Sequence, residues 1–373
     1  MFTRYIALSL LALAFSVQGV VVQVEIAAQL ISPEVHPDRR VTFRIRAPQA
    51  KRVLVEGING LEPQPMTKGA GGVWKVTLGP LPPELYSYVF NIDGTVVPDP
   101  HNRHVKKWLS LNSQFEIPGD PPRLYERCRV PHGVVHRQFY DSKTTGTERG
   151  VYVYTPPGYE TSGTRRYPLV LLLHGYGDDE SAWLEVGRVN FILDNLLAAN
   201  KIVPMVVAMP NGHPLPIELK TEFDDYADRN LKLMEKDVLE DLLPYLERSY
   251  RLGDSDQQRA IVGLSMGGGQ ALTIGLGHLD QFSWIGGFSS AAPQGDLDHL
   301  LANLTRDVAA TNRRIKLLWI GCGKDDFLLA RNRQFVSWLA KHKIAHTYRE
   351  TKGSHQWMVW RRYISEFLPL LFR

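Results

Sequence analysis

A serine flanked by glycines is the residue whose setting points most directly to chemistry. Ser265 lies in Gly-Leu-Ser-Met-Gly, which has the spacing G-x-S-x-G, and residues 260–262 before it are apolar like a buried strand. A helix-like segment, 268–274, follows it. A serine on a sharp turn between a strand and a helix is exposed to a substrate, to a base and to backbone N–H groups at once. The pattern therefore predicts a nucleophilic serine.

A nucleophilic serine requires a base and a group that orients the base, and chains with this motif supply them in the order serine, acid, histidine. The acid is expected after the predicted strand 315–320, where Asp325 and Asp326 are adjacent. We favour Asp326, although an aspartate at this place also suits the cap of the following helix. Of the histidines after the acid, only His355 lies in a glycine-containing loop between a predicted strand and the final helix, so it is the expected base.

Two backbone N–H donors are needed to stabilise the negative charge that develops when a serine attacks a carbonyl. One is expected from Met266, directly after the serine, and the other from the loop 174–177, His-Gly-Tyr-Gly, where we favour Tyr176. Side chains near these loops are candidates for the wall of a substrate pocket. These candidate substrate-binding residues are Trp183, His213 and Trp357.

Several other kinds of site lack their sequence signals. The sequence contains no H-E-x-x-H motif, no cysteine–histidine cluster and no phosphate-binding loop, so neither a metal nor a cofactor is expected. Basic and acidic residues are interspersed and the formal net charge is +4, which argues against a dedicated nucleic-acid-binding protein. Cys128 and Cys322 are the only cysteines, too few for a disulfide scaffold, and the sequence leaves open whether they pair.

The first residues have the pattern of a secretory signal peptide. Arg4 precedes an apolar stretch, 6–17, of 12 residues, which is too short to span a bilayer, and small residues follow with a cleavage position near Gly19. We therefore expect a signal peptide over 1–19 and a secreted or periplasmic protein with no membrane attachment after cleavage. An uncleaved membrane anchor is the alternative.

The elements that must position these residues fall into two parts. Residues 25–118 alternate apolar and polar positions between turn signals, which predicts a small all-β, immunoglobulin-like sandwich. A proline-rich join, 119–131, is the expected linker. From 132 to 373 strands alternate with helices, and the continuous apolar run 169–173 is typical of a strand covered on both faces. This part is predicted to be α/β, with a mostly parallel sheet whose strand carboxyl ends carry the site.

With these residues in place, the part 132–373 resembles the esterase D-type branch of α/β-hydrolases, in particular secreted feruloyl esterases that act on xylan. The part 25–118 is similar to carbohydrate-binding module family 48. The matching segments of the larger part are 154–159, 172–175, 209–212, 263–268 and 353–355, and those of the smaller part are 47–50, 72–74, 80–83 and 93–94. The resemblance implies catalysis by Ser265, Asp326 and His355 on feruloyl esters of plant cell-wall xylan.

Two alternatives stay open at this point. Acetyl xylan, another carbohydrate ester or a siderophore ester could be the substrate, or the chain could be a carbohydrate-binding protein with an inactive esterase domain. Aromatic side chains of the smaller part suit either stacking on sugar rings or a sandwich core, and we favour the core for Trp74 and Tyr88. The four aromatic residues concerned are Trp74, Tyr86, Tyr88 and Trp108.

Overall fold

The computed structural model describes residues 30–217 and 223–373, together with a two-stranded pairing of β1 (Ser16–Val17) with β2 (Val20–Val21). The predicted signal peptide, 1–19, therefore lies outside the described residues except for β1. None of the helices in the described part has the length and apolar character needed to cross a membrane.

The smaller domain consists of two antiparallel sheets. One has the strand order β3-β4-β8-β7, and the other has the order β11-β12-β9-β5-β6, with β10 paired to β9. Alternate residues of β4 point inward, so that the ring centre of Phe43 lies 4.8 Å from that of Tyr88 in the facing sheet. The strands are β3 Glu34–Val35, β4 Val41–Arg46, β5 Val53–Glu56, β6 Gln64–Pro65, β7 Thr67–Lys68, β8 Val73–Leu78, β9 Glu84–Ile92, β10 Thr95–Val97, β11 Val105–Lys107 and β12 Leu111–Ile117.

The larger domain is built on one eight-stranded sheet with the order β13-β14-β16-β15-β17-β18-β19-β20. The pairs β13–β14 and β14–β16 are antiparallel, and the five remaining pairs, from β16–β15 to β19–β20, are parallel. The fold is that of an α/β-hydrolase, as the sequence predicts. The strands are β13 Val134–Ser142, β14 Thr147–Thr155, β15 Leu169–Leu173, β16 Val206–Pro210, β17 Arg259–Leu264, β18 Trp284–Phe288, β19 Leu317–Gly323 and β20 Thr347–Thr351.

Helices cover both faces of this sheet and enclose two hydrophobic cores. All five residues of β15 are buried because Leu169, Leu171 and Leu173 face one core while Val170 and Leu172 face the other. The helices are α1 Ala182–Glu185, α2 Val189–Ala198, α3 Phe223–Asp237, α4 Leu243–Ser249, α5 Ser265–Gly277, α6 Leu297–Leu300, α7 Ala302–Thr305, α8 Val308–Arg314, α9 Leu329–Lys341 and α10 Trp357–Phe367. Helices α1, α2 and α10 pack on one face, and α3, α4, α5 and α9 contribute to the core on the other.

One long helical segment runs from α3 into α4. A π-helical turn, Val238–Leu242, joins α3 to α4, and Pro244 lies in the first turn of α4. A proline is tolerated there because the first N–H groups of a helix lack partners within that helix. The wider π turn thus lets one long helical segment continue through the proline.

Candidate active site

Ser265 occupies a strained turn between a strand and a helix. It is the first residue of α5, directly after β17, and its φ of 53° lies in the left-handed region that non-glycine residues rarely adopt. A Cβ on Gly263 would collide with the carbonyl of Gly267, and a Cβ on Gly267 would collide with the carbonyl of His174. Both glycines of the motif are therefore required for the close approach that presents the serine.

Ser265, His355 and Asp326 form one hydrogen-bonded chain. His355 Nε2 lies 2.9 Å from Ser265 Oγ, and His355 Nδ1 lies 3.0 Å from both carboxylate oxygens of Asp326. The three residues follow β17, β20 and β19, so they meet at the carboxyl edge of the parallel sheet. This geometry lets the serine give its proton to Nε2 while the carboxylate holds a proton on Nδ1.

The environment of Asp326 keeps its carboxylate ionised. Burial favours the neutral acid, but the hydrogen bond and the charge of His355, together with the Leu328 N–H at 2.8 Å, outweigh it and lower the pKa of Asp326. The adjacent Asp325 is exposed, and among the described hydrogen bonds its side chain makes none to His355. The structure therefore places Asp326, and not Asp325, at the histidine.

The loop after β15 lies against the serine, where an oxyanion site is expected. A Cβ built on Gly175 would be 3.3 Å from Ser265 Cβ. The carbonyl of Gly175 accepts a hydrogen bond of 2.8 Å from His174 Nδ1, so in a trans peptide the N–H of Tyr176 points the opposite way. Met266 is the second residue of α5, and its N–H belongs to the helix terminus that has no acceptor within the helix.

His213 was expected to line the substrate pocket, but the structure gives it a supporting position. Its Nε2 accepts the N–H of Gly177 at 3.1 Å, and its Nδ1 lies 2.6 Å from the hydroxyl of Tyr226. Burial lowers the pKa of His213 to about 3, with His174 and Arg149 adding to the shift. The ring is therefore neutral at ordinary pH, and both nitrogens are occupied by the protein.

Two further expectations about the pocket are corrected by burial. Trp183 is only 1% exposed, and its indole N–H donates to the carbonyl of Leu173 at 3.0 Å. Trp357 is 7% exposed and packs edge to face on Trp183 with ring centres 5.1 Å apart. Both belong to the core between the sheet and α10, so neither offers a surface for direct contact with a substrate.

Two aromatic residues, Phe327 and Trp108, lie near the site, although the sequence did not assign them to it. Phe327 is 75% exposed, and its ring centre lies 4.4 Å from that of His355. Its position next to Asp326 was the only available signal. Of the four aromatic candidates in the smaller domain, Trp74, Tyr86 and Tyr88 are core residues, while Trp108 is 45% exposed and contacts the loop after β15.

A cavity of about 460 Å³ opens beside the turn that carries the serine. Met266 and Gln270 of α5 form part of its wall, with Leu231 of α3, Leu301 and Arg331 around it. Pockets of this size accommodate small organic ligands. The cavity therefore offers room for a small organic group beside Met266, the residue that follows the serine.

Neither cysteine chemistry nor a metal centre is indicated by the described residues. Cys128 and Cys322 are unpaired, and burial raises the pKa of the Cys322 thiol to about 12, which suppresses the reactive thiolate. Within 30–217 and 223–373, histidine, cysteine and acidic residues form no group that could hold a metal ion.

Comparison with known proteins places these features among esterases. Residues 142–371 match the model of the family described as "Putative esterase". The chain is 28% identical over 347 residues to an endo-1,4-beta-xylanase/feruloyl esterase of Xylanibacter ruminicola, covering 91% of this chain but only 46% of that protein. The chain thus spans about half the length of that relative.

Solved structures show the same fold. A ferulic acid esterase is 27% identical, with a TM-score of 0.54, over 64% of this chain and 97% of that one. The enterobactin esterase FES from Shigella flexneri, solved in the presence of enterobactin, is 20% identical with a TM-score of 0.64, over 88% of this chain and 92% of that one. The second likeness concerns the fold alone and extends over both domains.

Proposed function

Because this chain belongs to the esterase family, we propose that it is a secreted serine esterase that hydrolyses feruloyl esters of plant cell-wall xylan. The observation that carries the proposal is the hydrogen-bonded chain Ser265–His355–Asp326 at the carboxyl edge of the sheet. The choice of feruloyl esters is supported by the relative named xylanase/feruloyl esterase, which aligns with nearly the whole chain, and by the ferulic acid esterase structure.

In the first half of the reaction, Ser265 Oγ attacks the ester carbonyl while His355 Nε2 takes its proton. The N–H groups of Met266 and Tyr176 stabilise the negative oxygen of the tetrahedral intermediate. As the intermediate collapses, the carbon–oxygen bond to the sugar breaks and His355 returns the proton to the leaving sugar hydroxyl. The acyl group remains on Ser265, and the cavity bordered by Met266 and Gln270 is the proposed room for it.

In the second half, a water molecule takes the place of the sugar alcohol. His355 Nε2 removes a proton from the water as its oxygen attacks the acyl carbon, and the same N–H donors stabilise the second intermediate. The bond to Ser265 then breaks, His355 returns the proton to Oγ, and the carboxylic acid leaves. Asp326 stays ionised throughout and stabilises the imidazolium that forms twice.

Replacement of the serine tests this mechanism. Ser265→Ala should reduce the release of ferulate from methyl ferulate to the background rate, a loss on the order of 10⁵- to 10⁶-fold in kcat. Ser249→Ala, at an exposed position in α4, is the matched control and should keep wild-type turnover. Labelling by a fluorophosphonate probe should occur in the control and be lost in Ser265→Ala. Substantial turnover by Ser265→Ala would refute the mechanism.

The substrate class needs a separate comparison. Purified protein should release ferulate from feruloylated arabinoxylan and from methyl ferulate faster than it releases acetate from acetylated xylan or opens an enterobactin-type triester. A preference for acetylated xylan or for the triester would support the esterase mechanism but would show that feruloyl esters are not the main substrate. Sugar binding without labelling of Ser265 would instead support an inactive esterase domain.

The proposed secretion rests on the pattern in 1–19, and the mass of the mature protein should show cleavage near Gly19.

A further inference from the structure

The smaller domain reaches the loop that borders Ser265 through the hairpin between β11 and β12. Trp108, at the tip of this hairpin, donates its indole N–H to the carbonyl of Tyr176 at 2.9 Å. A Cβ built on Gly177, whose φ is 81°, would lie 2.5 Å from the same indole nitrogen. The indole therefore rests directly on the peptide group that joins Tyr176 to Gly177.

The other end of this peptide group is held by the larger domain. The N–H of Gly177 donates to His213 Nε2 at 3.1 Å, while the carbonyl of Tyr176 accepts from Trp108. The preceding peptide group is fixed through the carbonyl of Gly175, which accepts from His174 Nδ1 at 2.8 Å. Each peptide group flanking Tyr176 is thus oriented by a side chain, and one of those side chains comes from the smaller domain.

Charged contacts join the same hairpin to the same loop. Lys106 Nζ lies 3.6 Å from Asp178 Oδ1, and these side chains are only 17% and 5% exposed. Lys107 Nζ lies 3.8 Å from Asp179 Oδ2 and 3.5 Å from Glu185 at the end of α1. Ion pairs of Lys106 and Lys107, the two residues before Trp108, therefore also join the hairpin to this loop and to α1.

We propose that Trp108 is a positioning residue for the reaction at Ser265, acting through the Tyr176–Gly177 peptide group to orient the oxyanion donor of Tyr176. The proposal rests on the proposed function, because it assumes that an oxyanion forms at Ser265. It assigns to the smaller domain a part in the chemical step, distinct from any binding of sugar.

Donor orientation matters most in the transition state, because the charge that the donor stabilises is developed only there. Loss of the indole N–H should therefore lower kcat and leave KM nearly unchanged. Removal of one neutral hydrogen bond and a small shift of the donor predict a loss of about tenfold in kcat. A residue that only stabilises the fold would change neither value in the folded protein.

Trp108→Phe in the full chain tests the proposal, because phenylalanine retains a ring against Gly177 and removes the donor. Trp284→Phe is the matched control, since Trp284 also donates its indole N–H to a carbonyl at 2.9 Å, that of Gln257, at the opposite end of the parallel strands. Steady-state kinetics use p-nitrophenyl acetate, whose hydrolysis does not depend on recognition of a feruloyl group. Thermal unfolding of each variant establishes that it is folded at the assay temperature.

Phenylboronic acid provides a readout of the oxyanion site that does not require turnover. Its boron accepts the Ser265 oxygen to form a tetrahedral anionic adduct while His355 takes the serine proton. The Kd measured by calorimetry should rise about tenfold in Trp108→Phe, in parallel with the fall in kcat, and should be unchanged in Trp284→Phe.

Three results would overturn the proposal in distinguishable ways. If Trp108→Phe kept wild-type kcat and wild-type affinity for phenylboronic acid, the positioning role would be wrong and the esterase would stand. If KM alone rose, Trp108 would be a ground-state contact of the substrate instead. If the wild-type protein neither hydrolysed p-nitrophenyl acetate nor bound phenylboronic acid, the serine esterase itself would be wrong.

Discussion

Asp326 serves two partners with one buried carboxylate. It accepts the N–H of Leu328 at 2.8 Å and faces His355 Nδ1 at 3.0 Å, so the backbone at the start of α9 fixes the carboxylate that orients the histidine. A capping role and a catalytic role were alternatives for neighbouring aspartates in the sequence. In the structure Asp326 faces the histidine, and its bond to Leu328 lies just before α9, whose N-cap residue is Leu328.

Asp326→Asn should lower kcat by about 10³- to 10⁴-fold, because an amide does not stabilise the imidazolium and favours the wrong tautomer of His355. KM for methyl ferulate should change little. Asp325→Asn, at the exposed neighbouring position, is the control and should retain wild-type kcat. Comparable losses in both variants would argue against Asp326 as the orienting acid.

At this scale the sequence was informative where chain order constrains function. Ser265, Asp326 and His355 follow strands in the order that the motif requires, so their convergence could be predicted. Trp183 and Trp357 could not be placed, because two tryptophans near the motif loops can either line a cavity or fill the core beneath it. Their ring centres lie 5.1 Å apart, which places both side chains in the core. This packing depends on contacts between residues distant in sequence.

Among the elements, the loop after β15 is held by two neutral histidines. His174 Nε2 accepts the N–H of Gly212 at 2.7 Å, and His213 Nε2 accepts the N–H of Gly177 at 3.1 Å. Burial lowers the pKa of both rings. A proton on either Nε2 would remove the acceptor, so acid should weaken the hold on this loop.

His213→Gln is expected to flatten the pH dependence of stability. An unfolded histidine titrates near pH 6.5, whereas the folded pKa of His213 is about 3, so the unfolded chain binds one more proton between these values. The free energy of unfolding therefore rises with pH across this window and falls as the solution is acidified, by up to about 1.4 kcal/mol per pH unit for one such group. Urea unfolding between pH 4 and pH 7 measures the slope.

The glutamine variant retains an oxygen that can accept the Gly177 N–H, which separates the titration from the hydrogen bond. His213→Asn is the control, since it also lacks the titrating ring but is too short to reach Gly177. Both variants should show the reduced slope, while only the asparagine variant should lose activity at pH 7. An unchanged slope in both would show that His213 does not titrate differently on unfolding.

Sequence patterns located β15, β17 and β19 but not β18, and the difference has a physical cause. β18, Trp284–Phe288, contains Gly286 and Gly287, which weaken the strand signal, yet it occupies a central position between β17 and β19. The glycines fit because a Cβ on Gly286 would lie 2.6 Å from Val262 Cγ2. Close packing of neighbouring elements sets this requirement and is not visible in a single strand's pattern.

For the molecule as a whole, one buried arginine joins the two domains. Arg361 of α10 pairs with Glu84 of β9 at 2.6 Å, and these side chains are 3% and 17% exposed. The same guanidinium donates to the carbonyls of Leu85 and Val186. Because the positive charge of Arg361 is buried away from water, its free-energy cost is offset by the carboxylate of Glu84 across the interface.

Glu84→Gln should therefore lower the free energy of unfolding by about 3 kcal/mol, since it leaves the guanidinium buried without its counter-charge. Urea unfolding followed by tryptophan fluorescence measures the change. Glu247→Gln breaks the pair with Arg259, in which Glu247 is 43% exposed, and should cost less than about 1 kcal/mol. Equal effects of the two substitutions would show that the domain interface does not depend on this charge.

The bond from Trp108 to the carbonyl of Tyr176 has a consequence for how such proteins can be recombined. A chimera that received a foreign sandwich would lose an indole donor and two lysines that contact the loop after β15. Redesign of the smaller domain therefore requires changes on the native sandwich, with the hairpin from β11 to β12 left intact.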